Sequence, residues 1–526
     1  MRVIKVDFKC SPDGASFVSN PANWAADTIY LTMEGNNDTK STVLRLLFAF
    51  GLGTLVWVLC LRFSFPGYLD PFVPFHVDHF EYLGRSAEGY GIGRYFEKYP
   101  RPIGNLLFDL FGRLGIRGML VPVFALALLN AVLLIRYLER STARRSSAWG
   151  MILFFILLFA NPQSYASVKE DILAVVSLTC VLLIFHLWQS YLESGNRWRV
   201  VGIVALAIFA SYVKETYFGT LLAFFGLQVL FAARHRKRAA ALLAANLFIA
   251  ALSLYINGKR GVFVDLKAAA TAPYHQDWSP LSILHGYYQI LQFLIVPAAA
   301  VLVMSALAFL ALRDRRSFWI GLAALLLVAT TVLPHALLPN HLEDQYAWLG
   351  APFFLTPLLL AEPLLPRRPL PLAVSGLVAL GFCTATLAEY SRSVNKGMAG
   401  WLREQEECER LLLSSWPILK KVTKPGERAL VIGSTITFQP FSVPSFLRKS
   451  FGKVRWTVAL PDGARKKKEL TTQVIHESDV TSLNYDHVFV YNPDGALVGV
   501  HSRDEAAAIA QAGGFPQLPA LAREGN

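Results

Sequence analysis

Five short clusters in the chain combine residue types that can move protons or hold anions. The first reads His76-Val77-Asp78-His79-Phe80-Glu81-Tyr82 and is followed by Tyr99-Pro100-Arg101-Pro102. Farther along come Lys169-Glu170-Asp171, then Lys214-Glu215, then His341 with Glu343, Asp344 and Tyr346. A positioned carboxylate such as Asp78 can take a proton from a hydroxyl. A cation beside a departing anionic group stabilises charge that develops in the transition state, which suits Lys214, Arg101 and Lys169, with His341 a further candidate. His76 and His79 flank Asp78, and two histidines with a carboxylate are common metal ligands. Their spacing is loose, so the expectation is a site without bound metal, with a divalent cation as the lesser alternative. Each cluster also has a plainer reading. Asp78 can be a solvated loop carboxylate, Glu170 and Asp171 can stabilise the start of a helix, Lys214 and Glu215 can pair with one another, and His335, His341, Glu343 and Asp344 can be ordinary loop residues.

The elements that must position these residues are apolar and long. Of 526 residues, 54% are hydrophobic and 17% are charged, where a soluble domain carries roughly 25% charge. Apolar blocks of roughly 17–25 residues fit the hydrocarbon core of a bilayer. They fall at 43–63, 118–138, 147–161, 171–190, 200–213, 217–232, 239–257, 287–312, 318–337, 346–362 and 370–390. Residues 1–42 are mixed and polar with no short apolar core before a cleavage site, so the first apolar run is expected to be a retained helix. The five cysteines include Cys60, Cys180 and Cys383 within apolar segments, and no pair has metal-site or redox spacing.

Charge then orients the chain. Clusters at Arg136–Arg145, Arg197–Arg199, Arg234–Arg238, Arg313–Arg316 and Arg367–Arg368 mark connections that are nearly pure Arg, and cytoplasmic loops gather such residues. All five share one side only if the chain crosses twice between Arg199 and Arg234, which breaks 200–232 into two short helices with Tyr212–Thr216 at an outer tip. The expected fold is therefore a polytopic α-helical membrane protein of about eleven spans, with the N-terminus inside and the C-terminus outside. Each short helix reaches roughly 22 Å, so the tip bearing Lys214 and Glu215 lies at membrane depth, where irregular backbone needs protein or a water-filled cavity around it. The net charge of +13 is explained by the membrane and needs no nucleic-acid partner. Asp70, Asp78, Glu81, Glu170, Asp171, Glu215, Asp265, Asp277, Glu343 and Asp344 all fall on the outer side of this topology.

Three blocks follow: a cytoplasmic N-terminal segment 1–42, a membrane domain 43–390 with a long first outer loop 64–117, and a tail 395–526. In that loop Ile103–Leu114 is amphipathic and is expected to lie in the interface plane. The tail opens on a helix from Trp401 to Leu419 and continues with strand-like runs at Ala429–Gly433, Val454–Leu460 and His487–Tyr491, with turn residues after two of them and a helix near Glu505–Ala512. It reads as a small extracytoplasmic α/β domain. Its basic run Arg465-Lys466-Lys467-Lys468 reads as a solvated loop.

In the order of these elements the chain resembles the GT-C superfamily of membrane glycosyltransferases that use lipid-linked sugars, and within it the branch of protein O-mannosyltransferases and lipid A aminoarabinose transferases. Asp78 with Tyr82 looks like the acidic residue and aromatic that open the family's first outer loop, and Pro100-Arg101-Pro102 is similar to its Pro-Pro motif. Glu170 or Asp171 matches a second acidic position, and Ile203–Lys214 matches a helix ending in Lys. Gln345-Tyr346 with Pro352 matches only part of a late Arg-Tyr motif, and the missing Arg leaves the phosphate-binding role there to His341. The resemblance spans roughly 43–390 and implies a polyprenyl-phosphate-sugar donor, a glycan, lipid or protein acceptor of the cell envelope, and inversion with Asp78 as base. It implies substrate-binding roles for Glu81, Tyr82, Arg101, Lys169, Glu170, Asp171, Lys214, Glu215, His341, Glu343 and Tyr346. The composition points to a bacterial plasma (inner) membrane as the location. A transporter or flippase for a lipid-linked glycan is the first alternative, since broken helices with charges at mid-depth suit transport, and a non-catalytic envelope assembly factor is the second.

Overall fold

The computed structural model describes residues 39–64, 101–113, 115–161, 168, 171–259, 276–292, 294, 296–340, 342, 346–365, 377–378, 380–381, 384–389, 392, 397–433, 441, 444–460, 473–476, 485–492 and 494–511. Helices dominate the first part. They are α1 (Thr39–Ser64), α2 (Pro102–Arg113), α3 (Gly115–Thr142), α4 (Ala148–Phe159), α5 (Ile172–Ser194), α6 (Trp198–Val213), α7 (Phe218–Phe231), α8 (Arg236–Lys259), α9 (Pro280–Leu291), α10 (Pro297–Arg313), α11 (Arg315–Ala336), α12 (Ala347–Phe354) and α13 (Thr356–Ala361). Among the described residues six stretches are long and apolar enough to cross a bilayer: Val43–Cys60, Val121–Thr142, Ile172–Ser194, Arg236–Ile256, Arg315–Ala336 and Ala347–Leu364. Shorter apolar helices include Ala148–Phe159, Trp198–Val213, Glu215–Phe231 and Pro297–Arg313.

Burial separates an inner layer from an outer one. The Ile172–Ser194 stretch is 78% buried within the protein, whereas Val43–Cys60 and Arg236–Ile256 are each 28% buried. Helix α5 is the hub, packed between α3 and α6, while α7 links α8 to α11 and α1 lies against α3 and α4. Large apolar side chains such as Leu44, Trp198, Leu281 and Leu312 point outward. Such a surface is stable only in contact with lipid, so this is a membrane protein.

Two expected spans are interrupted. The run 287–312 divides into α9 and α10 around Gln292–Val296, because Pro297 has no N–H to continue a helix and sits at the first position of the next one. The run 346–362 divides at Leu355, where α13 restarts with Pro357 in its first turn. The run 370–390 lies mostly outside the described residues. Helix α2, expected in the interface plane, packs on α3 and α6, with Phe108 and Asp109 buried. A Cβ on Gly104 would stand 2.7 Å from the Val213 carbonyl oxygen, so only glycine permits that approach to α6.

The Arg-rich connections are not purely basic either. Arg45 and Arg136 pair with the buried Glu139, Arg140 with Glu193, and Arg144 with Asp314. Glu139, with its side chain 4% exposed, is the buried charge among these and needs such partners. Asp314 also caps α11, accepting the Arg316 and Ser317 amides at 3.0 and 3.3 Å and the Ser317 hydroxyl at 2.7 Å.

The tail is a separate α/β unit. Helix α14 (Gly397–Val422) precedes β1 (Arg428–Ile432), α15 (Pro444–Phe451), β2 (Arg455–Leu460), β3 (Gln473–His476), β4 (His487–Tyr491), β5 (Leu497–Ser502) and α16 (Arg503–Gln511). The sheet order is β3-β2-β1-β4-β5, parallel except for β5, which runs antiparallel to β4 at the edge. Period-two alternation sends Ala429 and Val431 to one face, with Leu412, Trp416 and Phe451, and Leu430 and Ile432 to the other, with Ala506. Three strands and two helices agree with the sequence reading to within a few residues. β3, the edge strand β5 and α15 are additions.

Burial alone would raise the Asp314 pKa, but the Ser317 hydroxyl and amide and the Arg144 guanidinium outweigh it and hold the carboxyl below its ordinary value. A carboxyl so depressed stabilises the fold at every pH above its unfolded value, about 3.9. That contribution is lost as pH falls through the lower, folded value. Asp314→Ala is therefore expected to cost about 1 kcal/mol at neutral pH and to approach wild type only in strong acid. Thermal unfolding of both proteins in nanodiscs across pH checks this, and a difference that vanishes already at mildly acidic pH contradicts the assignment.

Candidate functional site

The break between α6 and α7 organises the site. Helix α6 ends at Val213. Lys214 is extended (φ −162°, ψ 139°), a 3₁₀ turn spans Glu215–Tyr217, and α7 begins at Phe218. In extended backbone successive side chains leave in opposite directions. Lys214 and Glu215 consequently do not pair with each other. Lys214 Nζ pairs with Asp171, and Glu215 pairs with Arg101. Both acids and the lysine are well covered, with side-chain exposures of 6% for Asp171, 13% for Lys214 and 15% for Glu215.

Asp171 has a second duty. Its Oδ1 accepts the Ala174 amide at 3.1 Å, which caps α5, while Oδ2 meets Lys214. Asp171 thus both stabilises the start of α5, as expected, and pairs with Lys214. The Ser177 hydroxyl, two turns into α5, donates to the Lys214 carbonyl at 3.4 Å and ties the irregular backbone to the hub helix. The Lys214 amide still donates to Ala210 at 3.0 Å, so the break leaves few polar groups to be satisfied.

Arg101 enters from the other side. It has φ +53°, which non-glycine residues rarely adopt, immediately before Pro102. Its carbonyl accepts from the Asn105 amide at 3.0 Å and the Asn105 side chain at 3.2 Å. Its guanidinium reaches Glu215 through both Nε, at 2.9 Å, and Nη2. A two-pronged arginine–carboxylate pair is among the stronger hydrogen-bonded contacts, and it holds a strained backbone in place.

A fifth element closes the group. Tyr346, just before α12, is 7% exposed and stacks on His335 with ring centroids 3.6 Å apart. Lys214 Nζ lies 6.0 Å from the centre of the Tyr346 ring. Beneath them Tyr217 is buried and its hydroxyl donates to the Leu349 carbonyl at 3.4 Å. The starts of α2, α5 and α12, the end of α11 and the α6–α7 break therefore meet at one end of the bundle. Helix starts carry partial positive charge, so this end combines two cations, three helix N-termini and two resting counter-ions. Such a group can exchange a carboxylate partner for a phosphate oxygen at little change in local charge.

Of the sequence-derived site residues, Arg101, Asp171, Lys214, Glu215 and Tyr346 come together here. Asp78, Glu81, Tyr82, Lys169, Glu170, His341 and Glu343 lie outside the described residues, as do His76 and His79. Lys169 and Glu170 directly precede Asp171 in the chain, and His341 and Glu343 shortly precede Tyr346. His335 is not a loop residue: it occupies the last turn of α11 and is buried. The contacts of His335 and Ser177 were not legible from sequence, because each sits on an apolar helical face where a polar side chain is ordinarily a packing residue, and those of Tyr217 depend on the 3₁₀ turn that holds it. Compared with known proteins, the chain matches no family model and no curated sequence.

Removing one partner from a covered ion pair leaves an uncompensated charge, whereas removing both does not. Asp171→Asn, which keeps a capping oxygen, and Lys214→Met are each expected to destabilise by about 3–5 kcal/mol. The double variant should lose clearly less than the sum. A double-mutant cycle from unfolding in nanodiscs measures this, and strict additivity would show that the two side chains do not interact.

Proposed function

We propose that the chain is an integral membrane glycosyltransferase of the GT-C kind, moving a sugar from a polyprenyl-phosphate donor to a cell-envelope glycan, lipid or protein acceptor on the outer face of the plasma (inner) membrane. The observation that carries this reading is the pairing of Lys214 with Asp171 and of Arg101 with Glu215 at a helix break within an apolar bundle. Ionisable groups at such depth are costly and mark ligand pathways. Two cations held by carboxylates suit a substrate that arrives with its own negative charge.

In this reading Asp78 takes the proton of the acceptor hydroxyl. The acceptor oxygen bonds to the anomeric carbon as the bond from that carbon to the phosphate oxygen breaks. The electron pair leaves on the polyprenyl phosphate. Lys214 and Arg101 turn to that phosphate and stabilise its growing charge, with Lys169, just before Asp171 in sequence, and His341, shortly before Tyr346, as further cations. Glu81, Tyr82, Glu170 and Glu343 are further substrate-binding residues in this reading, and Tyr346 carries the ring beside Lys214. Attack opposite the phosphate inverts the anomeric centre. No metal is needed for these steps. The topology that serves this chemistry has about eleven spans, combining the six long stretches, the four shorter helices and the run 370–390. It leaves the N-terminus inside and the α/β tail outside.

A helix broken at a charged pair also suits a carrier of lipid-linked glycans, so the two readings need separating. The purified protein in nanodiscs is offered polyprenyl-phosphate sugars, and binding and sugar release are followed for wild type and Asp78→Asn. The transferase reading expects the variant to bind donor but to turn over about 10²–10⁴-fold more slowly. Binding without turnover in either protein favours the carrier or an assembly factor, and no binding of any such donor rejects the proposal.

A further inference from the structure

At the opposite, Arg-rich end of the bundle lies a cavity of about 120 Å³ that the chemistry above does not use. On the scale in which one water needs roughly 10–15 Å³, it holds on the order of ten water-sized groups. Water is a poor occupant, because few polar groups line it and several of these are already engaged. The Gln228 side-chain oxygen accepts from Trp188 at 3.0 Å, the Thr356 hydroxyl donates to the Pro352 carbonyl at 3.2 Å, and the Tyr137 hydroxyl is hydrogen-bonded to Ser141. The remaining walls are aliphatic and aromatic.

The cavity opens sideways between α7 and α11. Phe231 and Trp319 stand at the mouth, half exposed, with ring centroids 6.3 Å apart. On α11 the lining residues Trp319, Ala323 and Leu327 recur every four positions. One turn back on that same face is Arg315. Just past the end of α7, in the short turn Ala233–His235, is Arg234. Both arginines are exposed, and among the described residues neither has a carboxylate partner, unlike Arg140 and Arg144 nearby. A largely apolar slot with its half-exposed rim at Phe231 and Trp319, with Arg234 three residues past the first and Arg315 four before the second, has the charge and shape of a lipid with an anionic headgroup.

We propose that one acyl chain of an anionic phospholipid enters between α7 and α11 while its phosphate is held by Arg234 and Arg315. The site is independent of the sugar-transfer reading and lies at the other end of the bundle. Its basic character follows the general rule that positive pockets between membrane helices gather acidic headgroups.

The test exchanges the purified protein into nanodiscs of phosphatidylcholine with a minor share of phosphatidylglycerol and counts retained lipids by native mass spectrometry. Wild type should retain phosphatidylglycerol over phosphatidylcholine by on the order of thirtyfold, the effect of two basic side chains. Arg234→Gln with Arg315→Gln changes only exposed side chains and should bring the ratio near one. Ala323→Leu, and more strongly Ala323→Phe, should displace the retained lipid while both arginines remain. Equal retention of the two lipids by wild type overturns the proposal. So does a preference that survives the paired arginine variant, or that persists with Ala323→Leu and Ala323→Phe folded and the cavity filled. Thermal stabilisation by inorganic phosphate alone, equal to that by phosphatidylglycerol, would assign the arginines to a free anion and also overturn it.

Discussion

A charge inside an apolar bundle must have a counter-charge, and that requirement shapes the region around Lys214. Without Asp171, the ammonium would stand at the end of a broken helix with little water to solvate it. Satisfying it places demands on the rest of the chain. α5 must begin where Asp171 can both cap its own helix and reach across to the break. The break must be extended at one residue, so that Glu215 turns away from its neighbour and toward Arg101. Helix α2 must then come close enough to α6 for Arg101 to arrive, which is why Gly104 faces the Val213 carbonyl. An interhelical ion pair thus accounts for a helix start, a helix break and a glycine contact in three segments far apart in sequence.

The other end of the bundle obeys the same rule with a different outcome. There the arginines lie near the boundary of the apolar layer, and several find carboxylates: Glu139, Glu193 and Asp314. Arg45 adds the Ser146 carbonyl to its contact with Glu139, joining α1 to the connection after α3. These pairs fasten helices to one another and hold no irregular backbone in the middle of a helix. The contrast between the ends is therefore one of geometry more than of charge count. At the Arg-rich end the pairs close connections between helices, and at the other end they close an interruption within one.

Periodicity and charge made much of this visible in the sequence. The break near Lys214 followed from a single argument: five arginine clusters cannot share a side unless 200–232 crosses twice. The strands at Ala429, Arg455 and His487 were legible because a buried parallel strand is a short apolar run. What failed has common causes. The edge strand β5 alternates between half-buried and exposed residues and carries two glycine- and serine-like weak formers, Gly499 and Ser502, so its pattern is faint. The interruption at Pro297 was hidden by the apolar residues on both sides of it, since hydropathy averages over a break that backbone chemistry imposes. The cross-pairing of Lys214 and Glu215 could not be read at all. Adjacent opposite charges suggest a local pair, and only the extended φ and ψ of Lys214 separate them.

Pairing also explains how such a site can be stable and still receive a ligand. A lone ammonium or guanidinium at this depth would be too costly to keep charged. A cation bound to a neutral partner would retain its charge but would offer a phosphate no equivalent contact to replace. A carboxylate partner solves both problems, because it resembles a phosphate oxygen in charge and in hydrogen-bond acceptance. In the function proposed above, an approaching phosphate takes the place of the carboxylate at the cation, and the released carboxylate keeps part of its stabilisation. For Asp171 that remainder is the Ala174 amide, which it already holds. Glu215 lies at the start of the turn before α7, where the exposed amides of a helix start favour a negative charge. The two acids are thus placed where losing a cation is least damaging.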